Sequence, residues 1–168
     1  MKRKNCRSCG STHLNLVFDF GLQPLAGCFP NKPLRLKPCA TYPLDLTQCS
    51  SCGLLMTTNL PPIDEVFNAN YKYSSSTIPT LVRHFSAYSL FLCKWLSAGA
   101  NVLEFGCNDG ILLDFLSPLG FDCVGIDASE NMVKIATIKG HNVIGGFFGE
   151  ALVINNNLVA SQDLITCS

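Results

Sequence analysis

Apolar residues along this chain change their period at about residue 60 and again at about residue 100. Over 1–60 they come in short runs, Leu14 to Phe18, Tyr42 to Leu46 and Leu54 to Thr58, each of strand length. Between the first two, a Gly/Pro-rich stretch from Gly21 to Pro43 holds five of the chain's nine prolines, which predicts a loop. Pro61-Pro62 opens a brief helix, because proline is tolerated in a helix's first turn. A polar loop with two aromatics follows, Asn70-Tyr71-Lys72-Tyr73-Ser74-Ser75-Ser76. From Ile78 to Ser97 the residues Leu81, Phe85, Tyr88, Leu92 and Trp95 recur at three- and four-residue steps, one face of an amphipathic helix.

From Ala100 onward strand and helix periods alternate. Asn101 to Phe105 reads as a strand, Ile111 to Leu116 as a helix and Phe121 to Ile126 as a second strand. Ser129 to Lys139 is a helix with Met132, Val133 and Ala136 on one face. Asn142 to Ile144 is a third strand, Glu150 to Ile154 a weak helix and Asp163 to Cys167 a fourth strand. This alternation predicts an α/β fold with a parallel sheet and right-handed crossovers. The chain thus divides into a small lobe (1–60), a linker with a helix (61–98) and an α/β region (99–168).

Composition makes the chain globular and core-rich, not disordered. Of 168 residues 48% are hydrophobic and 14% charged, against a usual charged share of about a quarter. Twelve basic and twelve acidic residues cancel, so no electrostatic footprint marks a nucleic-acid partner. Lys2-Arg3-Lys4 resembles the start of a signal peptide, but Cys6, Arg7 and Ser8 follow where an apolar stretch should begin. No run reaches the roughly 18 apolar residues of a membrane span. The expectation is a cytoplasmic protein with no membrane partner.

The cysteines carry the first chemistry. Cys6-Arg7-Ser8-Cys9-Gly10 and Cys49-Ser50-Ser51-Cys52-Gly53 are matched C-x-x-C-G turns. Each lets two thiolates converge on one ion, while the glycine frees backbone N–H groups to turn toward the sulfurs. Together Cys6, Cys9, Cys49 and Cys52 predict a tetrahedral Zn2+ site. Such binding supplies about 10–16 kcal/mol in zinc-finger peptides, enough to fold a lobe with little core. A redox dithiol or disulfide pairing is the competing reading. Cys93, Cys107, Cys123 and Cys167 sit among apolar neighbours and are expected to pack as small hydrophobes.

The second chemistry lies in the first strand–turn–helix of the α/β region, Val102-Leu103-Glu104-Phe105-Gly106-Cys107-Asn108-Asp109-Gly110. It places a carboxylate at a strand end and then glycines where backbone must approach a ligand. Gly125-Ile126-Asp127 ends the second strand with another acid, positioned to accept ribose hydroxyls. The spacing E-x-G-x-x-x-G departs from the G-x-G-x-x-G that seats a pyrophosphate, and Glu104 would repel a second anion. A cationic ligand with an adenosine and an amino-acid tail fits better, which describes S-adenosylmethionine. The plainer reading makes Gly106 and Gly110 turn glycines and Asp127 an N-cap. Phe147-Phe148, past the third strand, either walls the adenine or joins the core. His84, on the helix before the sheet, reads as a surface or packing histidine ahead of a catalytic one, and His13 and His141 carry no argument beyond position.

These features together resemble the sugar-nucleotide C-methyltransferases. The double cysteine knuckle resembles that family's N-terminal zinc-binding domain, as do Gln23-Pro24-Leu25-Ala26, Tyr42-Pro43-Leu44-Asp45-Leu46 and Cys52-Gly53-Leu54. Tyr71-x-Tyr73-Ser74-Ser75 with His84-Phe85 looks like its linker, and Leu103 to Leu113 with Gly125-Ile126-Asp127 like its cofactor motif. The resemblance implies a small four-cysteine zinc lobe followed by a partial Rossmann-like sheet of class I methyltransferases. It implies that Cys6, Cys9, Cys49 and Cys52 bind zinc. Glu104, Gly106, Cys107, Asn108, Gly110, Asp127 and Phe147 would contact S-adenosylmethionine. Tyr71 and Tyr73 would line the pocket of a nucleotide-sugar partner, with His84 as a further catalytic candidate. The implied reaction methylates a ring carbon beside the keto group of a nucleotide-linked deoxysugar.

Family members are much longer, and their proposed acid/base residues follow the fourth strand. The expectation is therefore a truncated copy, the zinc lobe plus the N-terminal half of a cofactor domain. A non-catalytic zinc-binding module with a residual nucleotide-binding half is the alternative. An RNA methyltransferase guided by a zinc ribbon is disfavoured by the neutral charge.

Overall fold

The computed structural model describes residues 2–26, 40–67 and 71–167. Two compact units make up the chain, Met1–Phe67 and Asn68–Ser168. The short helix α1 (Ile63–Val66) falls in the first, and the long helix α2 (Pro79–Leu92) in the second.

The first unit is a three-stranded antiparallel sheet of β1 (Leu14–Pro24), β2 (Thr41–Cys49) and β3 (Leu55–Met56), in that order. Strands β1 and β2 run past the predicted edges of the Gly/Pro-rich loop. Leu22 pairs with Pro43 and Pro24 with Thr41, with register shifts between Leu16 and Phe18 and between Asp19 and Leu22. The second shift takes in Gly21, at φ 70°, while Pro24 and Pro43 stay in register, so cross-strand pairing overrides a local loop signal. Residues 27–39 of the predicted loop lie outside the described residues, as does Asn70 of the polar loop. Among the described residues of this unit buried apolar side chains are few, Cys6, Cys49 and Met56, whereas Leu16, Phe18, Phe20 and Leu22 of β1 are exposed. A unit with so little core needs another source of stability.

The second unit is the α/β fold that the alternating pattern predicts. Strands β4 (Asn101–Phe105), β5 (Asp122–Asp127), β6 (Asn142–Gly145) and β7 (Leu164–Cys167) form one sheet in the order β6-β5-β4-β7. All pairs are parallel, with Glu104 opposite both Gly125 and Thr166. Helices α3 (Ile111–Leu116), α4 (Glu130–Ile138) and α5 (Glu150–Asn155) make the connections. Phe85 and Leu92 of α2 join Val102, Ile111, Leu112, Leu113, Leu116 and Phe121 in one buried cluster. Central strands β4 and β5 put their carboxyl ends side by side, the place where ligands bind in open α/β sheets. No helix among the described residues is long and apolar enough to cross a membrane.

Two packing expectations need correction. Helix α2 stops at Leu92, and its last turn tightens, with Lys94 N–H bonding Phe91 O and Trp95 N–H bonding Leu92 O. That tighter winding takes Trp95 off the apolar face, and it is 76% exposed. Cys93 in the same turn and Cys167 at the end of the edge strand β7 are exposed, while Cys107 and Cys123 are buried as expected.

Candidate functional site

In the first unit the four knuckle cysteines converge. Cys6 Sγ lies 3.6 Å from Cys52 Sγ and Cys9 Sγ lies 3.6 Å from Cys49 Sγ. All four sulfurs are within 4.8 Å of one another. A zinc–sulfur bond of about 2.3 Å in a tetrahedron sets sulfurs about 3.8 Å apart, so the donor set fits the metal. Both turns have the same build. Gly10 N–H bonds Cys6 O and Gly53 N–H bonds Cys49 O, with both glycines in the left-handed region at φ 74° and 78°.

Electrostatics of the thiols agree with a cation between them. The Cys9 N–H, aimed at the Cys6 sulfur, lowers the Cys6 pKa despite burial. Burial raises that of Cys49, but the Cys52 and Ser51 N–H groups outweigh it and bring it down to about 6. Cys52 is pushed up to about 12: the Leu54 N–H pulls it down, and the crowding sulfurs of Cys6 and Cys9 win. Thiols this close cannot all ionise unless a positive charge sits among them. Four thiolates fill a zinc tetrahedron, so the metal holds the lobe together and has no open position for chemistry.

Asp45 is the lobe's second fastening, and no ligand-type spacing signals it. Its carboxylate is buried and accepts from Thr58 N (2.9 Å), Asn59 N (3.2 Å), Thr47 Oγ1 (3.2 Å) and the Thr58 hydroxyl. Burial raises its pKa, but those donors outweigh it and hold it at about 2. Arg3 N–H bonds Thr58 O, so Asp45 ties strand β2 to the segment that anchors the chain just before the first knuckle.

In the second unit the carboxyl ends of β4 and β5 build a separate site. Glu104 is fully buried on β4. Beyond it the chain folds back on β5: Gly106 N–H bonds Ile126 O at 2.7 Å and Cys107 N–H bonds the same oxygen at 3.1 Å. Asp127 ends β5 beside this turn, its Oδ2 accepting from Asn108 N and its Oδ1 from Ser129 N, both at 2.8 Å. Ser129, not Asp127, caps α4, its hydroxyl accepting from Met132 N. That frees Asp127 from the N-cap role, and each of its oxygens keeps a further lone pair.

The remaining candidates are distributed as follows. Cys107 turns its thiol into the core, buried and packed where a side chain on Gly125 would otherwise sit, so only its backbone can face a ligand. Burial, then the charges of Glu104 and Asp127, raise its pKa. Gly110 sits at φ 80°, and a Cβ there would lie 2.8 Å from His141 Cδ2. Phe147 and Phe148 are half-exposed instead of core, and Phe148 stacks on Phe105 with ring centroids 4.3 Å apart. Tyr71 and Tyr73 meet edge to face at 6.5 Å. Burial and then the charge of Asp127 raise the Tyr71 pKa, and the Tyr71 carbonyl accepts from Asn131 Nδ2 on α4 at 3.1 Å. His84 lies exposed on α2, stacked on Tyr88 and edge-on to Phe85.

Asp109, Ser74, Ser76 and Asn131 are the residues that motif reading missed. Asp109 is fully buried and accepts from the Ser74 and Ser76 hydroxyls and from Ser76 N. No spacing in the sequence pairs it with those serines, which lie 35 and 33 residues earlier.

Comparison with known proteins bears on both units. A family model described as "Putative zinc binding domain" matches residues 6–67, and one described as "Methyltransferase domain" matches residues 79–167. C-methyltransferase NovU of Streptomyces niveus is 30% identical over 149 residues, covering 86% of this chain and 35% of that protein. The chain thus spans about a third of the length of the curated relative it matches. Among solved structures, a TehB-like SAM-dependent methyltransferase from Corynebacterium glutamicum has a TM-score of 0.41 at 19% identity, covering 56% of this chain and 54% of that one. A SAM-dependent methyltransferase from Archaeoglobus fulgidus has a TM-score of 0.36 at 22% identity, covering 45% and 33%.

Proposed function

The chain belongs to the methyltransferase family, and on that premise we propose that it binds S-adenosylmethionine and serves methyl transfer to a carbon of a nucleotide-linked keto-deoxysugar. One observation carries the reading: Glu104 and Asp127 stand at the ends of neighbouring parallel strands, with a tight backbone turn between them. That arrangement offers one acid to ribose hydroxyls and another to a cationic group, and the two carboxylates would repel a pyrophosphate. The likeness to a C-methyltransferase supports carbon as the acceptor.

S-adenosylmethionine supplies an electrophilic methyl group on a sulfonium. Asp127 would hold the ribose, and the backbone from Gly106 to Gly110 would face the amino-acid end. Once a base had taken the proton alpha to the ketone, methyl transfer would form a carbon–carbon bond as the sulfonium carbon–sulfur bond breaks, its electron pair left on sulfur. Proximity and orientation supply most of the acceleration. Tyr71, kept neutral by its raised pKa, suits a hydrogen-bond donor to the keto oxygen better than a base. His84, stacked on Tyr88, is given no step. Cysteine pairs used as metal ligands suit a reducing, cytoplasmic setting.

Calorimetry with S-adenosylmethionine tests the reading. The wild-type chain should bind, and Asp127→Asn, which loses a charge-assisted acceptor worth about 1.5–3 kcal/mol, should bind about 10- to 100-fold more weakly. No heat from the wild type at millimolar ligand would favour an inert zinc-binding module instead.

A further inference from the structure

The segment from Tyr71 to Ser76 has little regular structure of its own, only a 3-10 turn at Ser75–Thr77. It is nevertheless bound along its length by residues of the second unit. Asn131 on α4 donates its Nδ2 to Tyr71 O at 3.1 Å. Asn108 donates its Nδ2 to Tyr73 O at 3.0 Å and accepts from Ser75 N on its Oδ1 at 2.9 Å. Asp109 accepts from the Ser74 and Ser76 hydroxyls and from Ser76 N.

We infer that Asn108 and Asp109 are positioning residues that clamp the Tyr71–Ser76 segment over the cofactor end of the sheet. Three observations carry this. A carboxylate with no exposed surface survives only if donors or charges replace its water; Lys139 Nζ stands 3.9 Å from Asp109 Oδ2, and the carboxylate takes its hydrogen bonds from that segment. Its pKa is lowered, burial opposing and the Ser74 and Ser76 hydroxyls prevailing. Asn108 sits in the left-handed region at φ 51°, which asparagine tolerates better than most side-chain-bearing residues. There its amide reaches the segment while its own N–H stays on Asp127. The Asn108 amide therefore serves the segment and leaves cofactor contact to its backbone. Because one residue bonds both Asp127 and the segment, a ligand held at Asp127 tightens the clamp, and by linkage the clamp tightens ligand binding.

The cofactor part of this inference rests on the function proposed above; the clamp does not. Amide hydrogen exchange of the whole chain, read residue by residue, separates the two. Asn108→Gly removes the amide while keeping the left-handed backbone free of strain. Ser74→Ala/Ser76→Ala removes the donors to Asp109 from the segment's side, leaving the buried carboxylate in place. In the ligand-free wild type, Ser75 and Ser76 amides should exchange slowly, and each variant should speed the affected amide about tenfold or more. S-adenosylhomocysteine should slow them further in the wild type and bind several-fold more weakly to both variants. A residue serving stability alone would lower the melting temperature without this local acceleration. Unchanged exchange at Ser75 and Ser76 in both variants overturns the clamp. Faster exchange with undiminished S-adenosylhomocysteine affinity overturns its positioning role. Failure of the wild type to bind would sink the functional reading, while the ligand-free rates still decide the clamp.

Discussion

Gly125→Ala tests why a glycine stands two residues before Asp127. Its φ is outside the left-handed region, so the backbone accepts alanine and the substitution would gain about 0.4–1 kcal/mol from a stiffer unfolded chain. Space is the obstacle. The new Cβ would lie 2.7 Å from Cys107 Sγ, 3.0 Å from Leu113 Cδ1 and 3.2 Å from Cys107 Cβ. Cys107 and Leu113 are 1% and 0% exposed within the main cluster, so neither has room to withdraw. Overpacking of this kind costs about 1–3 kcal/mol, leaving a net loss of about 1–2 kcal/mol. In a unit of this size each kcal/mol lowers the melting temperature by about 4–8 °C. Urea unfolding followed by circular dichroism at the helix band would report it, since α2 to α5 all lie in the second unit. Cys107→Ala removes the closest atom, so the double variant should be about 1 kcal/mol more stable than the sum of the single effects predicts. Wild-type stability of Gly125→Ala, or strict additivity with Cys107→Ala, would refute the packing argument.

Zinc content should be one ion per chain, and Cys49→Ser should lose it and unfold the first unit; a folded, metal-free unit would contradict the tetrathiolate assignment. Asp45→Ala should cost the first unit about 2–3 kcal/mol, since two backbone N–H groups lose a charged acceptor. The sign with pH follows from its lowered pKa: against an ordinary value of 3.8 it stands at about 2, so its contribution is complete above about pH 4 and fades as pH falls toward 2. The stability gap between wild type and Asp45→Ala should therefore narrow below pH 4, and a constant gap would contradict it.

Much of the second unit could be read from the chain because its signals are local and strong. Continuous apolar runs flanked by turns located all four parallel strands within a residue or so, and Glu104 and Asp127 stand toward the carboxyl ends of β4 and β5 as the motif spacing predicts. The errors came from non-local effects. Pro24 and Pro43 read as loop, yet pairing across the β1–β2 hairpin incorporates them. Trp95 fits a helical period on paper, but a tightened final turn rotates it away. In the site, Cys107 sits in the cofactor motif and turns inward, a direction that depends on the empty space at Gly125 across the strand. Asp45 and Asp109 were invisible as fastenings because their partners, Thr58 and Ser74–Ser76, are distant in sequence and of ordinary type.

The central claim, that the ends of β4 and β5 form an S-adenosylmethionine site, is tested most directly by an amide chemical-shift titration with that ligand. The largest shifts should fall on Gly106 to Gly110, on Asp127 to Asn131 and on the Tyr71–Ser76 segment, leaving the cysteine knuckles unmoved. Shifts confined to other residues, or none at millimolar ligand, would contradict it.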